Sequence, residues 1–251
     1  MQVRGYMTKD DTVFFNDPGF ELFGCSVAPQ RVQTAHVSFR YGAAICDDDN
    51  INLDGTLIRT FWGDDETWWD QWRIGTTGQR TENHDGELTD EEINLIVDMR
   101  GPLQSFLQLG VGRGKLLNQG VQYEDLDSLY FYTEFQPGGA LRFELFATGG
   151  DSVDFTNNQP ADELVLNPIL EAKLGRHVNL EFDHLLQQLD VEGGRLFQAN
   201  LSQLRLVYNF NVRTFVRAIF QYLDLDRDPD LYLVPVEPEI ETLFTQLLFS
   251  Y

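Results

Sequence analysis

The sequence is short of positive charge. Among 251 residues, 18 Lys and Arg stand against 40 Asp and Glu, a formal net charge of −22. Nucleic acid needs a basic footprint, so it is excluded as a partner. Long apolar runs are missing too. The longest stretch without a charged residue, 101–112, contains Gln104 and Gln108 and falls well below the ~20 apolar residues of a membrane-crossing helix. That does not exclude crossing by strands, which need only about 9–11 residues with alternate ones apolar. There are two cysteines, Cys25 and Cys46, which give neither a disulfide framework nor a metal spacing. The first eleven residues carry Arg4, Lys9 and Asp10 but no apolar core, so no signal peptide is legible. This fits either a cytosolic protein or a mature or shortened chain. Catalytic signatures are missing as well: G-x-S-x-G, H-E-x-x-H and C-x-x-C do not occur. The glycines of 110–114 lack phosphate-loop spacing, and Leu116 stands where Ser or Thr would bind magnesium.

What is present is apolar residues in alternation. At 42% hydrophobic and 13% aromatic, the chain is too apolar for a disordered acidic tail. Helical periodicity is nearly absent, whereas period-two alternation runs from about residue 31 to the end. It marks roughly twelve strands: 32–41, 56–62, 68–81, 92–100, 103–111, 129–135, 141–147, 164–174, 178–188, 197–210, 214–222 and 241–251. The connections read as alternately short and long. Short ones fall near 63–66, 100–102, 137–139, 175–177 and 209–211, and long ones near 42–55, 81–91, 112–127, 149–161, 189–196 and 223–239. Such asymmetry suits short periplasmic turns and long extracellular loops. Residues 1–30 read as an N-terminal lead-in segment with one further strand around 12–15, and 31–251 as the barrel domain.

The two faces differ. One carries Glu134, Arg142, Glu144, Glu171, Lys173, Glu181, Asp183, Arg205 and Arg217, which suits a wet lumen. The other is aliphatic and aromatic, as a lipid-facing band would be. Trp62, Trp68, Trp69, Trp72, Tyr208, Tyr222 and Tyr251 fall near strand ends, where an interfacial aromatic girdle belongs. The fold expected is therefore all-β: an antiparallel up-and-down transmembrane β-barrel of about twelve strands.

Residues 193–232, GGRLFQANLSQLRLVYNFNVRTFVRAIFQYLDLDRDPDLY, and 243–251, LFTQLLFSY, resemble the C-terminal barrel of an uncharacterised bacterial family. In that family a domain of the family-nine carbohydrate-binding type precedes an outer-membrane β-barrel. NHDGEL at 83–88 is similar to a loop of the same barrel, and the resemblance extends over 28–251. It implies an outer-membrane location and a sugar-binding module, separate or deleted, as partner. The upstream domain has no counterpart in this sequence. Family members usually continue past the equivalent of 249–251 with another hairpin, which implies about fourteen strands in the intact protein. The family often carries a hydrolase label, but no catalytic motif of it maps onto these residues.

Three groups could carry chemistry. Glu181 and Asp183 share a strand face, about 6.5–7 Å apart, a spacing open to paired-carboxylate catalysis or to a plain acidic lumen patch. His184 points the other way. Asp48, Asn50, Asn52 and Asp54 alternate oxygen ligands, as do Asp224, Asp226 and Asp228; without the closing Glu of a calcium loop, each would bind Ca²⁺ weakly or simply be solvated. No other cofactor is implied.

The function read from these features is a passive pore, or a membrane conduit or anchor. Its acidic, polar lumen would favour cations or neutral polar solutes such as sugars, with outer-membrane lipid around it. Two alternatives stay open: an outer-membrane hydrolase with lumen or rim carboxylates, and a soluble all-β binding protein.

Overall fold

The structure, a computed structural model, describes the backbone of several strands between residues 5 and 53 and all of 54–251 except His84. Short strands come first: β1 (Gly5–Met7), β2 (Val13–Phe15), β3 (Phe20–Leu22), β4 (Cys25–Val27) and β5 (Gln30–Gln33). Long ones follow: β6 (Val37–Ile45), β7 (Asn50–Trp62), β8 (Gln71–Asn83), β9 (Leu88–Gly101), β10 (Ser105–Asn118) and β11 (Val121–Phe135). The last six are β12 (Leu141–Asp154), β13 (Gln159–Leu174), β14 (Val178–Val191), β15 (Gly194–Asn209), β16 (Phe215–Arg227) and β17 (Glu239–Ser250). The described residues contain no α-helix, only a 3₁₀ turn at Pro229–Leu231.

The chain forms two compact units. The first comprises residues 1–100 and 108–128, the second 101–107 and 129–251. In the first, strands pair in the order β3-β4-β6-β7-β8-β9-β10-β11, β5 also pairs with β6, and β1 and β2 make a separate ribbon. In the second the order is β10 through β17 in sequence. The paired registers are antiparallel throughout, as hairpin-connected neighbours require.

The expected alternation of short turns and long loops is not what forms. The connections expected to be long are mostly tight: 84–87, 119–120, 155–158 and 192–193. Among the described residues only 228–238 is long. Those expected to be short span 63–70, 102–104, 136–140, 175–177 and 210–214. The reason lies in the strands, which continue as polar hairpins after their apolar alternation stops. Between β10 and β11 the ladder runs on to a two-residue turn, with Gln119 at φ 48° and Gly120 at φ 78°, the paired left-handed geometry of a type I′ hairpin. Arg113 grips Asp127 across that hairpin through Nε at 2.6 Å and a terminal nitrogen at 2.7 Å. Asp224 and Asp226 are likewise strand residues of β16, not loop residues.

Pro168 sits in the middle of β13, where proline removes a ladder donor. The β13–β14 register passes over Asn167 and Pro168, and the Asn167 side-chain amide donates to the His184 carbonyl at 3.0 Å and to Asp183 at 2.7 Å. A side chain thus supplies the bond that proline cannot.

Among the described residues the buried core is small. Its one cluster joins Ala161, Leu189 and Leu196 to Val191, Phe197, Leu231 and Tyr232. Large apolar side chains otherwise lie outside, including Leu95, Leu129, Leu174 and Leu247.

Candidate functional site: a charged sheet face

Alternation along each strand and the pairing between strands fix which residues share a face. In the second unit Arg142 lies opposite Glu171, Glu171 opposite Glu181, and Glu181 opposite Arg205. These four form one row across β12–β15. A neighbouring row holds Lys173, Asn179, Val207 and Arg217, and the row on the other side holds Glu144, Ile169, Asp183, Gln203 and Gln221. Glu134 joins through its 2.9 Å bond from Arg142 Nε. All nine residues expected to be polar-facing therefore make one contiguous belt.

The belt is extensively ion-paired. Arg142 contacts Glu134, Glu144 and Glu171, and Tyr132 donates to Glu144 at 3.0 Å. Arg205 reaches Glu181 at 3.0 Å. Lys173 and Arg217 stand outside these pairs, and Arg217 Nε is buried with no hydrogen-bond partner. A cavity of about 290 Å³ opens here, lined by Arg142, Glu171, Lys173, Asn179, Glu181 and Arg205.

The opposite face is apolar over the same strands. On β13 it presents Leu164, Leu166, Pro168, Leu170, Ala172 and Leu174, and on β14 Val178, Leu180, Phe182, His184 and Leu186. Beyond this band it turns acidic. Asp151 faces Asp162, Asp162 faces Asp190, Asp224 faces Glu241 and Asp226 faces Glu239. Arg195 hydrogen-bonds Asp190 at 2.8 Å and holds its carboxyl below the ordinary value against the opposing effect of desolvation.

The first unit shows the same division. Arg73, Thr77, Gln79, Asn94 and Asp98 share one face, whereas Leu57, Phe61, Trp72, Ile74, Leu95 and Val97 share the other. Asp98 is 3% exposed and bridged to Arg73 at 2.7 Å. Alternation along 92–100 puts Asp98 on the polar face but gives no sign of its burial. Asp154, 1% exposed at the end of β12, was missed. Its signal was an Asp three residues before an Asn at a strand end, which forms an Asx-type turn.

The aromatic residues divide. Trp72, Tyr208 and Tyr222 lie on apolar faces. Trp62 pairs with Gln71 and points to the polar side of its sheet, while Trp68 and Trp69 belong to the 63–70 turn. Tyr208 meets Phe210 edge-on at 4.8 Å and stacks on His177 at 5.8 Å, and Tyr251 stacks over Phe249 at 6.2 Å.

The weak catalytic and metal candidates are not assembled into centres. Glu181 is held by Arg205, and Asp183 by Asn167. Among the described residues no three His, Cys, Asp or Glu come together to hold a metal. Asp224 and Asp226 alternate along an extended strand instead of wrapping a point. Asp54 lies in β7; Asp48 and Cys46 fall outside the described residues, as do the side chains of Cys25, Asn50 and Asn52.

No helix of the described residues is long and apolar enough to cross a membrane, which says nothing of strands. No family model and no curated protein matches the sequence. Among solved structures, the chain is similar to "OmpT (in-vitro folded), an outer membrane protein of Vibrio cholerae", at 13% identity, 96% coverage of this chain, 92% of that chain and a TM-score of 0.41.

Proposed function

We propose that the chain spans the bacterial outer membrane as a closed antiparallel barrel of about twelve strands and acts as a passive pore or conduit for small polar solutes. The observation that carries this reading is the two-sided sheet, with a charged, ion-paired face backed by a continuous apolar one. On β13 the apolar positions run from Leu164 to Leu174, about 33 Å of strand at ~3.3 Å per residue. At a tilt of about 35–45° that gives roughly the 25 Å height of a lipid-facing band. In water such a face would be an apolar patch far larger than soluble monomers carry. Closure is favoured because an open strand edge in hydrocarbon leaves backbone groups unsatisfied.

A polar lumen lowers the barrier for hydrated solutes. Since Arg142 and Arg205 already neutralise much of the acidic belt, its field is weak, which favours neutral polar solutes such as sugars with a mild cation preference. The family resemblance supports a sugar-binding module as partner. The paired state of Glu181 and Asp183 gives no support to hydrolysis.

Planar-bilayer recording of the detergent-folded chain tests the pore. The expected result is steady conductance with a small reversal potential of cation-selective sign under a salt gradient. Absence of conductance in a folded sample, or anion preference, counts against it.

A further inference from the structure

The 228–238 connection does not project freely. Its base is closed by Arg227 N–H donating to the Pro238 carbonyl at 2.7 Å, and Asp228 N–H donates to the Leu196 carbonyl at 3.1 Å. Asp228 then caps the 3₁₀ turn by accepting from Asp230 N–H. From there the segment leans onto the second unit's sheet. Leu231 and Tyr232 pack against Ala161, Leu189 and Leu196. Ala161 and Leu189 lie on the same face as Glu163 and the charged belt, at that face's far end. Leu231 also reaches the β14–β15 turn, where a Cβ on Gly193 would sit 3.1 Å from its Cδ2. Gly193 has φ +114°, a conformation open to glycine.

One side chain fastens the segment from across the sheet. The Asn157 amide donates to the Leu231 carbonyl at 3.3 Å, and its oxygen accepts from Leu233 N–H at 3.0 Å. This is the bonding a neighbouring strand would offer. Asn157 is itself oriented by the buried Asp154, whose carboxylate accepts from the Asn157 side chain at 2.6 Å, from Thr156 N–H at 3.0 Å and from Gln159 at 3.0 Å. Buried carboxylate oxygens need such donors to offset their lost hydration. Here they come from the turn that presents Asn157, so the latch is held ready whether or not the strap is seated.

We propose that residues 228–238 form a strap that closes one end of the second unit's charged face to solutes, with the Asn157 side chain as its latch. The strap goes beyond the pore reading and does not depend on it; its effect on conductance does.

The test uses the full chain in detergent, with Cys25 and Cys46 replaced by Ser and Ala161→Cys introduced beneath the strap, where Ala161 is 7% exposed. A charged, water-soluble methanethiosulfonate reagent is the probe. Labelling should be slow with the latch intact and at least about tenfold faster after Asn157→Ala, the shift expected for loss of roughly 1.4 kcal/mol of closure. Leu233→Pro gives a second route. It removes only the N–H that Asn157 accepts, at an exposed position following the extended Tyr232 backbone, and it carries the test alone if Asn157→Ala does not fold. Asn211→Ala, which breaks a comparable turn elsewhere, should leave the rate unchanged. Equal rates in latched and unlatched chains, or fast labelling with the latch intact, overturn the proposal. Conductance of the same variants separates the two readings: faster labelling with no conductance in any variant retains the strap and removes the pore.

Discussion

Glu171 on β13 lies directly opposite Glu181 on β14, and the two carboxylates are held between Arg142 on one flank and Arg205 on the other. Like charges directly opposite one another destabilise a sheet, so this row is stable as a set of four. Losing an arginine should therefore cost more than losing a carboxylate. Arg205→Gln leaves Glu181 unpaired beside Glu171, whereas Glu181→Gln relieves the repulsion as it breaks the ion pair. We expect Arg205→Gln to lower the urea midpoint and Glu181→Gln to leave it nearly unchanged. In the Glu181→Gln background the cost of Arg205→Gln should shrink. Equal losses for the two single variants would mean that the opposition of Glu171 and Glu181 has no energetic weight.

Lys173 stands in the row next to this one, outside the ion pairs, and lines the same cavity as Arg142 and Arg205. Its charge is thus available to solutes. Lys173→Glu should raise cation preference, seen as a larger reversal potential under a salt gradient, without altering unheated gel migration. An unchanged reversal potential would place Lys173 off the conduction path.

The apolar face makes a separate demand. Leu170 and Phe182 are direct partners on it, and Gln203 lies on the charged face one strand away. An arginine facing lipid near the middle of a strand costs about 2–4 kcal/mol, and one facing a wet lumen far less. Leu170→Arg should abolish or strongly weaken folding into lipid vesicles, and Gln203→Arg should fold like the parent chain. If the two variants fold equally well, the apolar face does not meet lipid.

These contrasts depend on faces that period-two alternation made legible. Glu144, Glu171 and Arg205 could be placed on one side by counting, because a strand's side chains leave no choice of face once alternation is established. Strand length was not legible in the same way. Around Arg113, Lys115, Glu124 and Asp127 charged and glycine residues break the apolar alternation, so nothing in hydropathy separates a paired strand from a loop; backbone pairing and cross-strand ion pairs extend it. The loop asymmetry expected from the sequence disappears for that reason, and the two faces carry the membrane reading without it. Trp62 shows the limit at strand ends, where alternation turned an expected girdle residue to the polar side. The Asn157 latch was out of reach, because it joins residues 74 apart in sequence.

Past the apolar band, Asp224 faces Glu241 and Asp226 faces Glu239 on adjacent strands. Asp226, Glu239 and Glu241 are exposed to solvent and Asp224 is half-buried, and added salt screens such repulsion over about 10 Å at 0.1 M and 3 Å at 1 M. The folded chain should accordingly gain stability between low salt and 0.5 M NaCl, read as a higher melting temperature. Converting Asp226 and Glu241 together to Asn and Gln should remove much of that gain. A melting temperature that falls with salt would show that the attractive pairs, such as Arg113 with Asp127, outweigh the acidic ladder.

Tyr232 ties the strap to pH. Its phenol is pushed up from the ordinary tyrosine value near 10 chiefly by burial against Ala161, Leu189 and Leu196, with Asp154 adding to the shift and Arg227 opposing it. The unfolded chain releases this proton first. Folding therefore gains its full contribution below about pH 10 and loses it as pH rises toward the folded value. The expected outcome is a melting temperature that falls between pH 9 and 11 more steeply in the parent chain than in Tyr232→Phe, whose ring packs alike and cannot ionise. The other tyrosines titrate in both proteins, so the difference isolates this one. If the two curves run parallel, the Tyr232 ring is solvated and the strap is not seated as described.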